Sequence, residues 1–305
     1  MKISYIKHTP MMFAAMFAVS TTANALPTIV GTNGAAAVDY LQYKVVGPNS
    51  LGADQTNSVP LATILDGNAA DPKGNVELFT SSESAAYNTP ATWNAYTQTT
   101  SLVGDLGGAS LKLSSLNASD WAADIGGGQT LLQKWTLDLF NQYLNLPGVN
   151  NAFNRDTVFA GFFLPNGGEQ RFSDPNISYA YSQNGQIHIG LAGFLNASSL
   201  LAGVLPADLL LLLPTDLQLS ELVKVEYNGN TSYLYGFNAT DSHYKSNDNT
   251  DSFTGNYDLT LLDPLHSGDQ LYSLGVTAAA IPEPTVISLL GIGLIGLAFS
   301  RKKQA

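Results

Sequence analysis

In residues 222–237, LVKVEYNGNTSYLYGF, apolar and polar side chains alternate: Val223, Val225 and Tyr227 fall on one face and Lys224 and Glu226 on the other. A period of two sorts neighbours to opposite sides only in an extended strand. Asn228-Gly229 interrupts the alternation. Both central positions of a type I′ turn need positive φ, which Asn and Gly adopt at least cost, so the stretch predicts a tight β-hairpin.

The same grammar recurs along the chain. In residues 177–194, ISYAYSQNGQIHIGLAGF, Ile177, Tyr179 and Tyr181 alternate before Asn184-Gly185, and Ile187, Ile189 and Leu191 after it. A third hairpin is expected over residues 156–172, DTVFAGFFLPNGGEQRF, turning at 165–168. Isolated strands are expected within residues 39–47, 75–80, 92–100 and 109–116. The fold class is therefore mainly β: an antiparallel β-sandwich or jelly-roll-like domain. One amphipathic helix is expected in residues 129–148, QTLLQKWTLDLFNQYLNLPG, with Leu132, Trp135, Leu139, Tyr143 and Leu146 on one side. Thr130 can cap it, Pro147-Gly148 stops it, and its apolar stripe packs on the sheet. The leucine-rich residues 200–219 are broken by Pro206 and Pro214, too short to cross a bilayer, and are expected to form a buried turn of helix, the alternative being an exposed patch for a partner.

Bulk properties narrow the partners. The 305 residues are 45% hydrophobic but only 12% charged, with a net charge of −11. Residues 26–280 carry 8 Lys and Arg against 23 Asp and Glu, a balance of −15. Such a surface repels phosphate backbones, so no nucleic-acid partner is expected. There is no cysteine, which removes disulfides, thiolate metal sites and a cysteine nucleophile.

The two ends carry the most specific signals. At the N-terminus, Lys2 and Lys7 precede the apolar residues 11–19, and Ala23-Asn24-Ala25 follows. That order is a secretory signal peptide, residues 1–25, with Ala23 and Ala25 as the small residues read by signal peptidase and Leu26 as the mature start. At the C-terminus come Pro282-Glu283-Pro284, the apolar residues 286–300, then Arg301, Lys302 and Lys303. As a transmembrane helix of 15 residues the apolar run reaches about 22 Å, short of the ~30 Å hydrocarbon core. The basic residues should stay on the cytoplasmic side, leaving residues 26–280 outside the inner membrane. Two prolines keep residues 281–284 extended and open to a protease.

This triplet, helix and basic cluster resemble the PEP-CTERM sorting signal of Gram-negative bacteria. The resemblance covers residues 281–305 and implies recognition by an exosortase, transient anchoring through 286–300, and delivery to the cell surface or an extracellular, exopolysaccharide-rich matrix. It identifies a route, and leaves the activity of residues 26–280 to be read from their own chemistry.

That chemistry is sparse. His188 falls opposite Tyr181 if the Asn184-Gly185 turn forms, which is a packing role, and His243 and His266 lack any metal-ligand spacing. Residues 124–130, DIGGGQT, read as a glycine-rich turn without the lysine of a phosphate loop. In residues 246–258, SNDNTDSFTGNYD, Asp248, Asp251 and Asp258 sit among hard oxygen donors without EF-hand spacing, and read as a solvated turn rather than a calcium loop. No catalytic, cofactor-binding or metal residue is assigned. Tyr179, Tyr181, Tyr227, Tyr233, Tyr235, Tyr244 and Tyr257 offer rings that can stack on sugars or pack in a core. The leading expectation is a non-catalytic structural or adhesive component of a biofilm or exopolysaccharide matrix. The alternatives are a glycan-binding module and a secreted glycoside hydrolase using an Asp/Glu pair.

Overall fold

The computed structural model describes residues 40–80, 89–95, 97, 99–106, 109–143, 163–183, 186–211, 213–214, 216–246 and 252–262. The predicted signal peptide with Ala23 and Ala25, the sorting segment with Pro282 to Lys303, His266, Asp248 and Asp251 lie outside these residues. Among the described residues no helix is long and apolar enough to cross a membrane.

Thirteen strands form among the described residues: β1 (Tyr40–Gly47), β2 (Ser50–Asp54), β3 (Gly74–Leu78), β4 (Ser101–Leu106), β5 (Ala109–Ser114), β6 (Asn176–Gln183), β7 (Gln186–Phe194), β8 (Leu219–Ser220), β9 (Val223–Tyr227), β10 (Asn230–Leu234), β11 (Thr240–Asp241), β12 (Lys245–Ser246) and β13 (Gly255–Leu262). Nine make the larger sheet, in the order β11-β13-β7-β6-β3-β1-β2-β12 with β8 beside β7; the smaller runs β10-β9-β5-β4. All pairs are antiparallel except β12 with β2. The chain is mainly β with few helices, as its alternation requires.

The opening hairpin forms as read. Tyr227 pairs with Asn230 across a two-residue turn in which Asn228 has φ 48° and Gly229 φ 79°. Val223, Val225 and Tyr227 are buried, while Lys224 and Glu226 are only half so. The second hairpin also holds its register, with Gln183 opposite Gln186 and Tyr181 opposite His188. Its turn residues 184–185 lie outside the described residues. β6 gains one residue between Ile177 and Tyr179, a bulge that re-aims the strand.

The inner faces of both sheets share one apolar layer. Val76, Ile177, Ile187, Ile189, Leu191 and Leu259 from the larger sheet meet Leu102, Leu111, Leu113, Val223, Val225 and Leu234 from the smaller. Each such side chain contributes roughly 1.5–3 kcal/mol on burial, which lets a domain without disulfides hold itself together.

A second core is aromatic. Among the short helices α1 (Leu61–Ile64), α2 (Pro90–Trp93) and α3 (Ala118–Trp121), and the longer α4 (Leu131–Tyr143), α4 is the expected amphipathic helix. Thr130 and Gln133 exchange side-chain and backbone hydrogen bonds at its start, a reciprocal cap. Trp135 packs edge-on to Trp121 at 5.6 Å and against Phe172 at 5.1 Å. On the outer side of the smaller sheet, Tyr235 donates to Asp138 of α4 at 2.7 Å, docking the helix as expected. Tyr143 donates to the carbonyl of Phe237 at 2.8 Å, and the helix stop at 147–148 lies outside the described residues.

Three expectations fail locally. The described residues of 92–100 do not make a strand: Pro90 fits the first turn of α2, and Thr89 and Thr92 cap it by exchanging hydrogen bonds. The third hairpin is absent from the described part of 156–172, because after the turn at 163–168 residues Gln170–Phe172 form a 3-10 helix. Glu-Gln-Arg-Phe has no alternation, and burial of Phe172 between Trp135 and Phe163 governs it instead. The leucine-rich region forms α5 (Ser198–Leu201) and α6 (Ala207–Leu210), with Leu201, Val204, Leu213, Leu217 and Leu219 buried as expected. Leu211, at 84% exposure, is where burial fails and the exposed alternative holds.

Candidate functional site

Strand β7 belongs to two environments. Ile187, Ile189 and Leu191 face the inner layer, so His188, Gly190 and Ala192 must face outward. Register places Tyr181 beside His188, Tyr179 beside Gly190, and Asp258 of β13 across from Gly190. A Cβ at residue 190 would lie 2.3 Å from the Tyr179 ring, so glycine is what lets that ring lie flat over β7. The His188 imidazole stacks on Tyr181 with centroids 4.7 Å apart and planes 10° from parallel. Its Nδ1 lies 3.3 Å from both carboxylate oxygens of Asp258. Burial, and then the charge of Asp258, hold the Tyr179 and Tyr181 hydroxyls above their ordinary range. The result is an oriented imidazole on a tyrosine platform, able to donate or accept a hydrogen bond.

Further along the same face the polar groups go under cover. Glu77 pairs in register with Asn176, and Asn176 with Ala192, which pairs with Asn256. Tyr43 donates to Glu77 Oε2 at 3.1 Å, and Asn176 Nδ2 donates to Glu221 Oε2 at 3.1 Å. Burial, then the charges of Asp174 and Glu77, push the Glu221 carboxyl well above the usual carboxylate range. In the aromatic lobe, burial raises Glu169 to about 7 although the Trp93 indole N–H donates to it.

A cleft of about 230 Å³ opens where the β1–β2 turn meets the residues around Asp71 and His243. Pro48, Asn49, Asp71, Pro72, His243 and Tyr244 line it. Val45 and Val46 of β1 stand exposed nearby at 47% and 53%. His243 holds a left-handed backbone at φ 61°, fixed by its N–H donating to Asp241 at 2.7 Å. Asp71 is ion-paired with Lys73, and burial raises the Tyr244 hydroxyl. The cleft combines a half-buried ring, proline faces and hydrogen-bonding edges.

These positions differ from the sequence reading in instructive ways. His188 packs on Tyr181 as expected, but Asp258, read as part of a polar loop, lies in β13 and orients it instead of a cation. Five of the seven tyrosines, Tyr179, Tyr227, Tyr233, Tyr235 and Tyr257, are core residues. Only Tyr181 and Tyr244 of that group keep partial exposure. Residues 124–130 form a turn as read, with Gly126, Gly127 and Gly128 all at positive φ and Gly126 N–H on Asp124. Sequence reasoning did not bring together Glu77, the neighbouring Asp174 and Asn176, and Glu221, because three distant segments supply them.

Compared with known proteins, residues 280–302 match the PEP-CTERM protein-sorting motif. No curated protein and no solved structure matches the chain.

Proposed function

Because its C-terminal end carries the PEP-CTERM sorting motif, which marks an exported, exosortase-processed and transiently membrane-anchored protein, we propose that this chain is a non-catalytic structural or adhesive component of the extracellular matrix. The motif is the observation that carries the reading, since it assigns the chain to a route whose end is outside the cell. Two further features support it. The two-sheet body is held by a shared apolar core without disulfides, and its acidic, weakly charged surface suits a hydrated polymer rather than phosphate or anionic lipid.

The test follows the protein through the cell. The mature chain is expected in the surface and matrix fractions. Replacing Pro282, Glu283 and Pro284 with alanine should hold an unprocessed chain in the inner membrane. Normal delivery of that variant, or a wild-type chain that never leaves the membrane, defeats the reading.

A second reading, glycan binding, rests on the cleft beside Tyr244. The tyrosine-rich strands no longer motivate it, since most of those rings are buried. The cleft offers what a sugar needs, a ring face in Tyr244 with Asn49, Asp71 and His243 at its edges. Tyr244→Ala should abolish retention on the host exopolysaccharide, whereas Tyr181→Ala should not. A hydrolase is less well supported: Asp174 and Glu221, the carboxylates that come together, are buried at 8% and 6% exposure, where a polymer does not reach.

A further inference from the structure

One margin of the larger sheet is left open. β13 runs for eight residues, Gly255–Leu262, and pairs with β7 along its whole length. On its other side β11 reaches only Gly255 and Asn256. The alternation of an antiparallel ladder fixes where the remaining backbone groups point. Ser242 N–H donates to the Thr254 carbonyl at 3.0 Å, and Thr240 stands opposite Asn256 two positions on. The same parity turns the N–H and C=O groups of Asp258, Thr260 and Leu262 away from β7 and toward that margin. Among the described residues no strand takes them up.

An unpaired edge of this kind is a template for another extended chain, and proteins usually blunt it with a bulge, a glycine, a proline or a charge. β4, at the margin of the smaller sheet, is blunted in this way: Gly104 lies within it and Asp105 is exposed. β13 instead keeps an unbroken register with β7, and Tyr257, Leu259 and Leu261 are buried beneath it. Its one charged residue, Asp258, is already engaged by His188 at 3.3 Å.

We propose that β13 pairs edge to edge with β13 of a second copy of this chain, antiparallel about a two-fold axis at Thr260, joining two larger sheets into one. In that register Thr260 meets its own counterpart, and Asp258 stands opposite position 262 of the other copy. Threonine pairs are favourable across antiparallel strands, and the two carboxylates are kept apart. The outward backbone groups of all three residues find partners, because a two-fold axis brings the same parity from both copies. The register also ends where it must. Position 264 would fall opposite Asn256, which Thr240 of β11 already faces, and residue 264 is a proline with no N–H to donate. Such a pair forms wherever the chain is delivered, so it stands apart from the matrix role and holds or fails without it.

The experiment uses the chain as purified from the producing cells. Sedimentation equilibrium up to about 100 μM should show a reversible dimer. Thr260→Lys sets like charges face to face and should weaken the pair by about tenfold or more. Thr260→Glu should do the same, and an equimolar mixture of the two variants should pair again. The chain has no cysteine, so Thr260→Cys carries a single thiol. Mild oxidation should link two copies of it, since directly opposed residues lie within disulfide reach, whereas Asp105→Cys on β4 should stay single. Should either charged variant fail to fold, the two cysteine variants decide. A parent that stays monomeric throughout, or a dimer that Thr260→Lys leaves undiminished, overturns the proposal. So does a mixture of folded variants that does not pair, or a Thr260→Cys chain that links no faster than Asp105→Cys.

Discussion

The two faces of β7 show how one strand can serve two different interiors. Inward, Ile187, Ile189 and Leu191 meet only aliphatic and aromatic carbon, and they are wholly buried. Outward, His188, Gly190 and Ala192 are small or polar, and their neighbours are Tyr179, Tyr181, Asp258, Asn176 and Asn256. Both faces are largely closed to water, but only the inner one is closed by apolar contact. The inner face supplies non-directional stability. The outer face is held by hydrogen bonds and ring stacking, so its worth depends on protonation, geometry and ligands.

Substitutions can break that contrast, and the largest effect should come from the inner face. Leu191→Ala should cost about 2–5 kcal/mol in denaturant unfolding, through lost transfer energy and the cavity left behind. The cost should be the same at any pH, because nothing near Leu191 on that face titrates in the ordinary range. A loss below ~1 kcal/mol would mean the two sheets do not press on this residue.

One residue away, Gly190→Ala should cost about 1–3 kcal/mol by overpacking, because its Cβ meets the Tyr179 ring. The displaced ring should also disturb Tyr181 and His188, which the ring shifts in an NMR spectrum would report. Wild-type stability with unshifted Tyr181 and His188 signals would show that the ring is not held against β7.

Buried carboxyls outside the inner layer should carry the pH dependence. Glu221 has its folded value raised, and Glu169 in the aromatic lobe is raised to about 7. A carboxyl raised on folding binds its proton more tightly in the native state. Its contribution is therefore complete below its unfolded value near 4.5 and is lost as pH rises through the folded value. The parent should lose stability between about pH 4.5 and 7, and Glu169→Gln should remove the part centred in that window. Glu221→Gln should flatten the slope that continues above it. Asp54 works in the other direction. The Thr56 hydroxyl, with Ser58 and Lys44, holds its carboxyl well below the usual range, so its contribution is lost as pH falls below about 4. A parent whose stability rises steadily from pH 5 to 8 would refute the assignment to buried carboxyls.

The smallest effect belongs to the turn that sets the hairpin. Gly229→Ala should cost about 1 kcal/mol, from its positive φ alone, since a Cβ there meets nothing within 4 Å. A larger loss would mean that the turn touches something beyond its own backbone.

How much of this was legible varies by the kind of signal. The Asn228-Gly229 hairpin, the Tyr181–His188 register and the Thr130 cap were readable, because each depends on residues within a few positions of one another. Residues 92–100 misled because Thr and Trp suit a strand, while Pro90 and the Thr89–Thr92 exchange favour a helical turn there. Asp258 misled because its upstream neighbours are polar, yet Tyr257, Leu259 and Leu261 alternate inward and carry it into β13. The tyrosines gave no direction at all, for a tyrosine suits a core and a sugar platform equally until its strand has a face. Leu211 kept its apolar character and still ended exposed.

By itself the sequence determined the period-two alternation, the turns, the one long helix and the sorting motif, because each is a local pattern whose physics closes within a few residues. Only the tertiary structure decided that Asn75, Asn176 and Asn256 on the outer face of the larger sheet are buried, that Asp258 orients His188, and that Glu221, Asp174 and Asn176 meet. Those contacts join strands distant in the chain, and which carboxylate meets which amide is fixed by sheet order and register, quantities that no single segment encodes.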